Sequence, residues 1–285
     1  MIMRKHFTHT FSFLFLLALP LPNLRGQEDF LLPFSLQASL SESPPVSGAL
    51  PLYPALPALF PEAYGSFAGI YTHYGFIKEN GTYGIGACLQ KNKNAWLLHY
   101  RYQGFSQWNR QKIGFGYARH LRPGFAIGAG IGYHTGNRIE NRKRESVLEI
   151  NLSAAFKTGI WAIGIDFRQP VVLYSLQKKE WNRALSLHMG IGCKLFKHLH
   201  TGIDIYKDLR YPLQGGLSFA YTIKQLFLLY AQTCINPVAY KLGLAFTGKR
   251  LQAEIALAYQ HPLGLESTVG ITWKPKLFSA STSRR

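Results

Sequence analysis

Apolar residues alternate with polar or small residues over most of the chain after residue 66. The stretches 148–156 (LEINLSAAF) and 251–259 (LQAEIALAY) both place an apolar side chain at every second position. Successive side chains of a β-strand point to opposite faces, so each stretch predicts a strand with one apolar and one polar face. The alternation therefore predicts an all-β protein, either a membrane barrel or a soluble sandwich.

The pattern predicts fourteen strands, most of them about 9–13 residues long, which is the length that a tilted strand needs to cross a bilayer. Strands of soluble domains are nearer 5–6 residues. The first and eleventh strands are the weakest predictions, because residues 225–231 are nearly all apolar. The predicted strands are 66–75, 81–90, 94–103, 109–119, 124–134, 145–157, 160–168, 183–195, 198–207, 213–222, 225–232, 237–247, 250–260 and 264–273.

The predicted connections differ in length according to their order. Every second connection is short: 90–93, 119–123, 158–159, 196–197, 223–224 and 248–249. The others include the longest connections: 103–108, 135–144, 169–182 and 208–212. Short turns at one end and longer loops at the other are typical of outer-membrane barrels, and a sandwich has no reason to separate them. We therefore expect an antiparallel up-and-down transmembrane β-barrel with its short turns in the periplasm.

The two faces of the predicted strands differ in composition. Fifteen aromatic residues share the apolar phase, several of them near strand ends, where the aromatic girdles of barrels form. The opposite phase is rich in glycine and is predicted to line a lumen. Its candidate functional residues are Arg101, Glu149, Asp166, Arg168, His188, Lys194, Asp204, Lys241, Glu254 and Glu266.

The termini predict further segments around a barrel at 66–273. Residues 1–26 carry a basic start and a short apolar run, as in a cleaved signal peptide. Residues 27–65 are apolar and rich in proline, which excludes long helices and ladder strands. This segment is either a periplasmic tail or a plug inside the lumen. Residues 274–285 form a C-terminal tail. Export and barrel together predict the outer membrane of a Gram-negative bacterium.

The chain is basic, with a formal net charge of +18. This charge favours anionic partners such as lipid headgroups and lipopolysaccharide, whereas export argues against nucleic acid. Two basic loops are predicted to face outward, where they either contact these anions or are simply solvated. Their candidate residues are Arg142, Lys143, Arg144, Lys178 and Lys179.

No motif in the sequence predicts catalysis, a cofactor or a metal. The glycine-rich stretch 128–132 lies within a strand and has no following helix, so a nucleotide loop is a poor explanation. His198 and His200 are more simply explained as turn residues than as metal ligands. Cys88, Cys193 and Cys234 are too scattered for a disulfide framework. We expect a protein that is not an enzyme.

The last three strands carry a family resemblance. Residues 243–246 (GLAF), 251–264 (LQAEIALAYQHPLG) and 269–273 (VGITW), together with 113–118 and 127–133, resemble the hairpins of FadL-like outer-membrane proteins. The chain is most similar to the PorV and PorQ branch linked to type IX secretion. The resemblance covers roughly residues 54–273. It implies a fourteen-stranded barrel with an N-terminal segment inside it, and it transfers no site residues.

Two functions remain open from the sequence. The first is a structural or accessory barrel that helps to secrete or display other proteins, with secretion machinery or cargo as partners. The alternative is a passive channel, or a FadL-like transporter, for small or hydrophobic solutes. A soluble secreted β-protein is a third interpretation.

Overall fold

The computed structural model describes residues 65–74, 81–105, 108–138, 143–174, 185–208, 212–224, 226–236, 238–248, 250–261 and 264–275. The predictions of a signal peptide, a proline-rich segment and most of a C-terminal tail concern residues outside these ranges. None of the described residues forms a helix long and apolar enough to cross a membrane.

The described residues form fourteen β-strands. These are β1 (Gly65–Tyr74), β2 (Gly81–Lys91), β3 (Asn94–Phe105), β4 (Trp108–Arg122), β5 (Phe125–Arg138), β6 (Lys143–Thr158), β7 (Trp161–Tyr174), β8 (Ser186–Phe196), β9 (Leu199–Asp208), β10 (Gln214–Ile223), β11 (Phe227–Ile235), β12 (Ala239–Thr247), β13 (Leu251–Gln260) and β14 (Gly264–Trp273).

The strands close into a single barrel. Each strand pairs antiparallel with its neighbours in the chain, and β1 pairs with β14 to complete the ring. The closing register runs without interruption from Phe67 opposite Trp273 to Tyr74 opposite Glu266. Closure leaves no unpaired sheet edge, which is the condition for a β-structure inside hydrocarbon. The predicted fold class is confirmed, including the uncertain first and eleventh strands.

The predicted long loops are wrong in part, because the strands continue into them. We predicted a connection at 103–108, but β3 continues to Phe105 and β4 begins at Trp108. The connection predicted at 135–144 is mostly a hairpin, in which β5 continues to Arg138 and β6 begins at Lys143. Outside the membrane both faces of a strand can be polar. The alternation of apolar and polar residues therefore stops before the strands do, and it does not predict these strand ends. These two connections are therefore shorter than expected, and the end of the barrel on which they lie is called the loop end below.

The opposite end, called the turn end, has the tight connections that the sequence predicted. At the turn between β4 and β5, Gly124 has a φ of +75°. A Cβ atom added there would meet the backbone carbonyl oxygen of Lys157 on the next hairpin. Both the left-handed conformation and the close approach require glycine.

The outer wall of the barrel is apolar. On β13, Leu251, Ile255 and Leu257 are at least half exposed, at 50%, 60% and 51%. The same phase is exposed and apolar on the other strands, for example at Ile85, Leu98, Leu152, Ile203 and Leu242. Apolar surface continuous around a whole barrel is suited to lipid contact and not to water.

Aromatic side chains form two belts on this outer wall. The belt near the turn end pairs rings across neighbouring strands: Phe67 with Trp273, Trp96 with Tyr117, Phe125 with Phe156 and Phe227 with Phe246. The belt near the loop end contains Tyr71, Tyr83, Tyr102, Tyr133, Tyr240 and Tyr259. Six to eight residues separate the belts on β3 and β5, or about 20–27 Å along a strand. With the strand tilt of about 35–45° found in such barrels, this length corresponds to a height of roughly 14–22 Å, within the apolar band of about 25 Å.

Two inward rings each lie against a glycine on the adjacent strand. Tyr230 is paired with Gly243, and His99 is paired with Gly114. A Cβ atom added to Gly243 would overlap the Tyr230 ring, and one added to Gly114 would overlap the His99 ring. These glycines therefore provide the space in which the rings lie against the barrel wall.

The Gly243 contact makes a testable prediction about stability. Gly243→Ala should force the Tyr230 ring away from the wall and destabilise the barrel by about 1–3 kcal/mol, as overpacking does elsewhere. Urea unfolding in lipid vesicles, followed by heat-modifiable mobility on gels, measures the change. Gly69→Ala is the control, because Gly69 also lies in a strand but a Cβ atom there would meet nothing within 4 Å. Equal effects of the two substitutions would contradict the packing role of Gly243.

Candidate functional site in the barrel lumen

The inner face of the barrel holds all ten polar residues that the sequence singled out for the lumen. Six of them are buried, and the remaining four (Arg101, Arg168, His188 and Lys194) are half-buried. The alternation decides this orientation: on β13, Glu254 is 5% exposed, whereas its neighbour Ile255 is 60% exposed. The six buried residues are Glu149, Asp166, Asp204, Lys241, Glu254 and Glu266.

A first group of charges lies on β4, β5 and β6. The Lys112 ammonium donates a hydrogen bond to Oε1 of Glu149 at 2.9 Å. Nε2 of His134 lies 3.3 Å from the other carboxylate oxygen of Glu149. The side chain of Asn151 donates to Glu149 Oε1 at 3.1 Å once its amide is oriented to suit its neighbours. Several donors thus converge on one buried carboxylate, which compensates for its removal from water.

A second ion pair extends this group onto β7. Nε of Arg168 donates to Oδ2 of Asp166 at 2.6 Å. Arg168 also interacts electrostatically with Glu149. We call Lys112, His134, Glu149, Asp166 and Arg168 the β4–β7 cluster.

His188 and Asp204 form a separate contact on β8 and β9. Nε2 of His188 lies 3.1 Å from Oδ1 of Asp204, and the imidazole meets the Tyr206 ring edge-on. In the barrel register Asp166 stands opposite His188, so this contact adjoins the β4–β7 cluster. Charged and polar side chains therefore occupy neighbouring positions on the wall from β4 to β9.

A third group occupies β11 to β14. The Tyr230 hydroxyl donates to Oε1 of Glu254, and the Lys241 ammonium lies 5.8 Å from the centre of the Tyr230 ring. Lys241 also interacts electrostatically with Glu254 and Glu266. Arg101 of β3 acts on Glu266 from beyond the closing strand pair. We call Tyr230, Lys241, Glu254 and Glu266 the β11–β14 cluster.

The two clusters face each other across the lumen. In the closed ring of fourteen strands, β6 and β13 stand seven places apart, which puts Glu149 and Glu254 on opposite walls. Their heights overlap in part: Arg168 and Glu266 each lie seven residues from the turn end of their strands, whereas Glu149 lies nine residues from it and Glu254 three. Opposed charges at mid-height can act on any solute that passes between them.

Sequence reasoning missed three members of these clusters as site residues. Lys112 and His134 lay on the predicted lumen face, but nothing in the sequence showed that both converge on Glu149. Tyr230 lies in the strand whose two faces are both apolar, which hides its inward direction. Its pairing with Gly243 is a signal that could have found it, because an inward ring needs a small partner. Lys194 stands opposite His200 near the turn end, outside both clusters.

The basic residues proposed to bind lipopolysaccharide are only partly described. Lys143 and Arg144 belong to strand β6, opposite Arg138 and Asn137, so the prediction that they lie in a loop is wrong. Both faces of these two strand ends are polar, so the alternation of apolar and polar residues does not predict their pairing. Arg142, Lys178 and Lys179 lie outside the described residues, and lipopolysaccharide binding stays a prediction.

Thiols and metals give no further site within the described ranges. Cys88, Cys193 and Cys234 are free cysteines. No group of three or more histidine, cysteine, aspartate or glutamate side chains is arranged to hold a metal ion there.

The barrel is similar to solved structures of transport proteins. A monoaromatic hydrocarbon channel, CymD, superposes with a TM-score of 0.59 at 9% identity, covering 85% of this chain and 92% of that one. The toluene transporter TbuX from Ralstonia pickettii gives 0.58 at 9% identity, with coverage of 78% and 91%. No family model and no curated protein matches the sequence. At these identities the likeness shows the fold alone, a barrel of the kind that the FadL-like resemblance implied. The narrower PorV and PorQ part stays a prediction.

The contact between Lys112 and Glu149 makes a second testable prediction. In a double-mutant cycle with Lys112→Gln and Glu149→Gln, the coupling free energy should be about 0.5–3 kcal/mol, as for residues in direct contact. Urea unfolding in lipid vesicles measures all four proteins. Lys112→Gln with Glu254→Gln is the control cycle, because these residues lie on different walls and should couple by less than about 0.5 kcal/mol. Coupling of similar size in both cycles would show that the contact is not specific.

Proposed function

We propose that the protein is an integral outer-membrane channel that passes small polar solutes between two charged clusters at the middle of its lumen. The observation that carries this proposal is the pair of clusters on opposite walls, inside a barrel whose outer wall is apolar. A lipid-facing wall places the barrel across a membrane, and a polar lumen offers solutes a path that hydrocarbon does not.

The fold comparisons support a channel better than a secretion accessory, which was the first expectation from the sequence. The two structures with the reported similarity are described as a channel and a transporter, both for aromatic hydrocarbons. A role in secretion or display would require a docking surface for protein, and the strongest features of the described strands lie inside the barrel instead. The proposal includes no catalytic step.

The lumen of this chain favours polar solutes over hydrocarbons. Charged and hydrogen-bonding groups occupy its middle, including Glu149, Asp166, Lys241 and Glu254. A hydrocarbon passing there would separate these groups from water without offering hydrogen bonds in return, which costs free energy. A small solute with its own charges or hydrogen-bonding groups can replace that water.

The N-terminal segment is proposed as a plug that restricts the channel. Small residues of the inner wall, including Ala95, Ala118, Ala126, Ala155 and Ala162, are between 0% and 1% exposed. Their cross-strand partners include several glycines and alanines, which are too small to cover them, beside the larger Gln90, His120 and Lys157. Residues 27–65 lead directly into β1 at the turn end, which is also where these alanines lie. An apolar, proline-rich segment of this length could cover these alanines.

Conductance in planar bilayers tests the channel and its plug together. The full chain should conduct weakly, whereas deletion of residues 28–60 should raise single-channel conductance several-fold, because the lumen then fills with water. A second deletion in the C-terminal tail, of residues 277–285, is the control and should leave conductance unchanged. Silence of both the full chain and the 28–60 deletion, with heat-modifiable mobility retained, would contradict the channel and favour an accessory barrel.

The charged clusters predict the selectivity of the opened channel. In the 28–60 deletion, Glu149→Gln together with Glu254→Gln removes one negative charge from each wall and should shift the reversal potential toward anion selectivity. Reversal potentials measured across a salt gradient show the shift. Arg119→Gln changes an exposed charge on the outer wall and should leave selectivity unaltered. A reversal potential unmoved by the double substitution would exclude the clusters from the solute path.

A further inference from the structure

The turn end of the barrel is basic on its outer rim. Seven exposed lysine and arginine residues lie at or beside the turns between β2 and β3, β4 and β5, β8 and β9, β10 and β11, and β12 and β13. We call them the basic collar: Lys91, Lys93, Arg119, Arg122, Lys197, Lys224 and Arg250.

The described turns that carry the collar are rich in basic residues and hold no acidic ones. Among the described residues of these turns, and within two residues of them, there is no aspartate or glutamate. The acidic residues of the described strands lie instead on the inner face, as Asp166 and Glu254 do, or toward the loop end, as Asp208 does. The collar therefore presents positive charge to whatever surrounds the barrel at this end.

The collar lies immediately beyond the turn-end aromatic belt. Arg119 follows Tyr117 by two residues and shares its outward phase, and Lys91 follows the exposed Leu89 in the same way. The Tyr117 hydroxyl donates to Asn94 Oδ1 at 2.7 Å, so the polar edge of the belt is fixed at this height. Long basic side chains just outside an aromatic belt reach the level of lipid headgroups while their methylene stems cover apolar surface.

Lys274 does not belong to the collar, although it lies at the same end. Its ammonium donates to Gln252 Oε1 at 3.2 Å. Burial lowers the pKa of Lys274 to about 8. This lysine faces the inner side and carries less positive charge than the exposed residues of the rim.

We propose that the basic collar binds the headgroups of anionic glycerophospholipids, such as phosphatidylglycerol, in the membrane leaflet that meets the turn end. Basic residues near a membrane surface are attracted to anionic lipid, and their contributions add. The occupant follows from position, because the collar continues the lipid-facing wall outward from the aromatic belt. This proposal depends on the barrel spanning a membrane, but it does not depend on channel activity.

Retention of lipid by the purified protein tests the collar. The protein in mild detergent is mixed with phosphatidylglycerol or with zwitterionic phosphatidylcholine, and native mass spectrometry counts the bound lipids. The full chain should retain phosphatidylglycerol preferentially. The triple variant Lys91→Gln, Arg119→Gln and Arg122→Gln should lower this retention about tenfold or more, with phosphatidylcholine unchanged.

A matched variant removes three charges at the opposite end. Arg138→Gln, Lys143→Gln and Arg144→Gln change the net charge equally but lie in the hairpin of β5 and β6 at the loop end. This variant should retain phosphatidylglycerol like the unaltered protein. Equal losses in the two variants would show a dependence on net charge alone, and a loss confined to the loop-end variant would place the lipid there; either outcome overturns the proposal.

Salt provides a measurement that needs no substitution. At about 1 M salt, charges are screened within about 3 Å, so the unaltered protein should release phosphatidylglycerol and keep any bound phosphatidylcholine. Retention of phosphatidylglycerol by a folded triple variant, or its insensitivity to salt in the unaltered protein, would overturn the proposal. In that case the collar faces another partner, such as an acidic protein surface.

Discussion

The closing pair between β1 and β14 is the interaction on which the rest of the structure depends. Hydrocarbon offers no hydrogen bonds, so an open sheet would leave two rows of peptide groups without partners at a cost of several kcal/mol each. The pair joins the first and last described strands, which are about 200 residues apart in the chain, through a register from Phe67 to Tyr74. Closure gives every strand two neighbours and separates an outer face from an inner one.

Closure also places charges where they would otherwise be unfavourable. Strands remote in the sequence become opposite walls, so that Glu149 and Glu254 lie across the lumen from each other. Both carboxylates have partners from strands one or two places away in the ring: His134 and Lys112 contact Glu149, and Tyr230 contacts Glu254. These local partners keep the inner wall stable, and the clusters that they form are the features that a passing solute would meet.

The distribution of charge along the barrel axis separates two surfaces of different use. Mixed, mutually paired charges lie inside at mid-height, whereas unbalanced positive charge lies outside at the turn end, at Arg119 and Arg122 for example. The inner charges suit selection of solutes and the outer ones suit attachment to an anionic surface. The two proposals therefore concern different parts of the wall and can fail independently.

The sequence by itself determined the class of fold, because a period of two residues and long strands leave few alternatives to a membrane barrel. It also determined which face of each strand is lipid-facing, since one misplaced residue would expose charge to hydrocarbon. The sequence prediction placed the ends of β5 and β6 in a loop and was wrong there, because Arg138 pairs with Lys143. These residues lie outside the apolar band, where side-chain polarity no longer indicates which residues belong to a strand. Alternation along β11 did not show that Tyr230 points inward, because both faces of the strand are apolar around this residue. Only the tertiary structure decided which charges meet, because contacts such as Lys112 with Glu149 depend on the register of separate strands, and alternation along one strand carries no information about register.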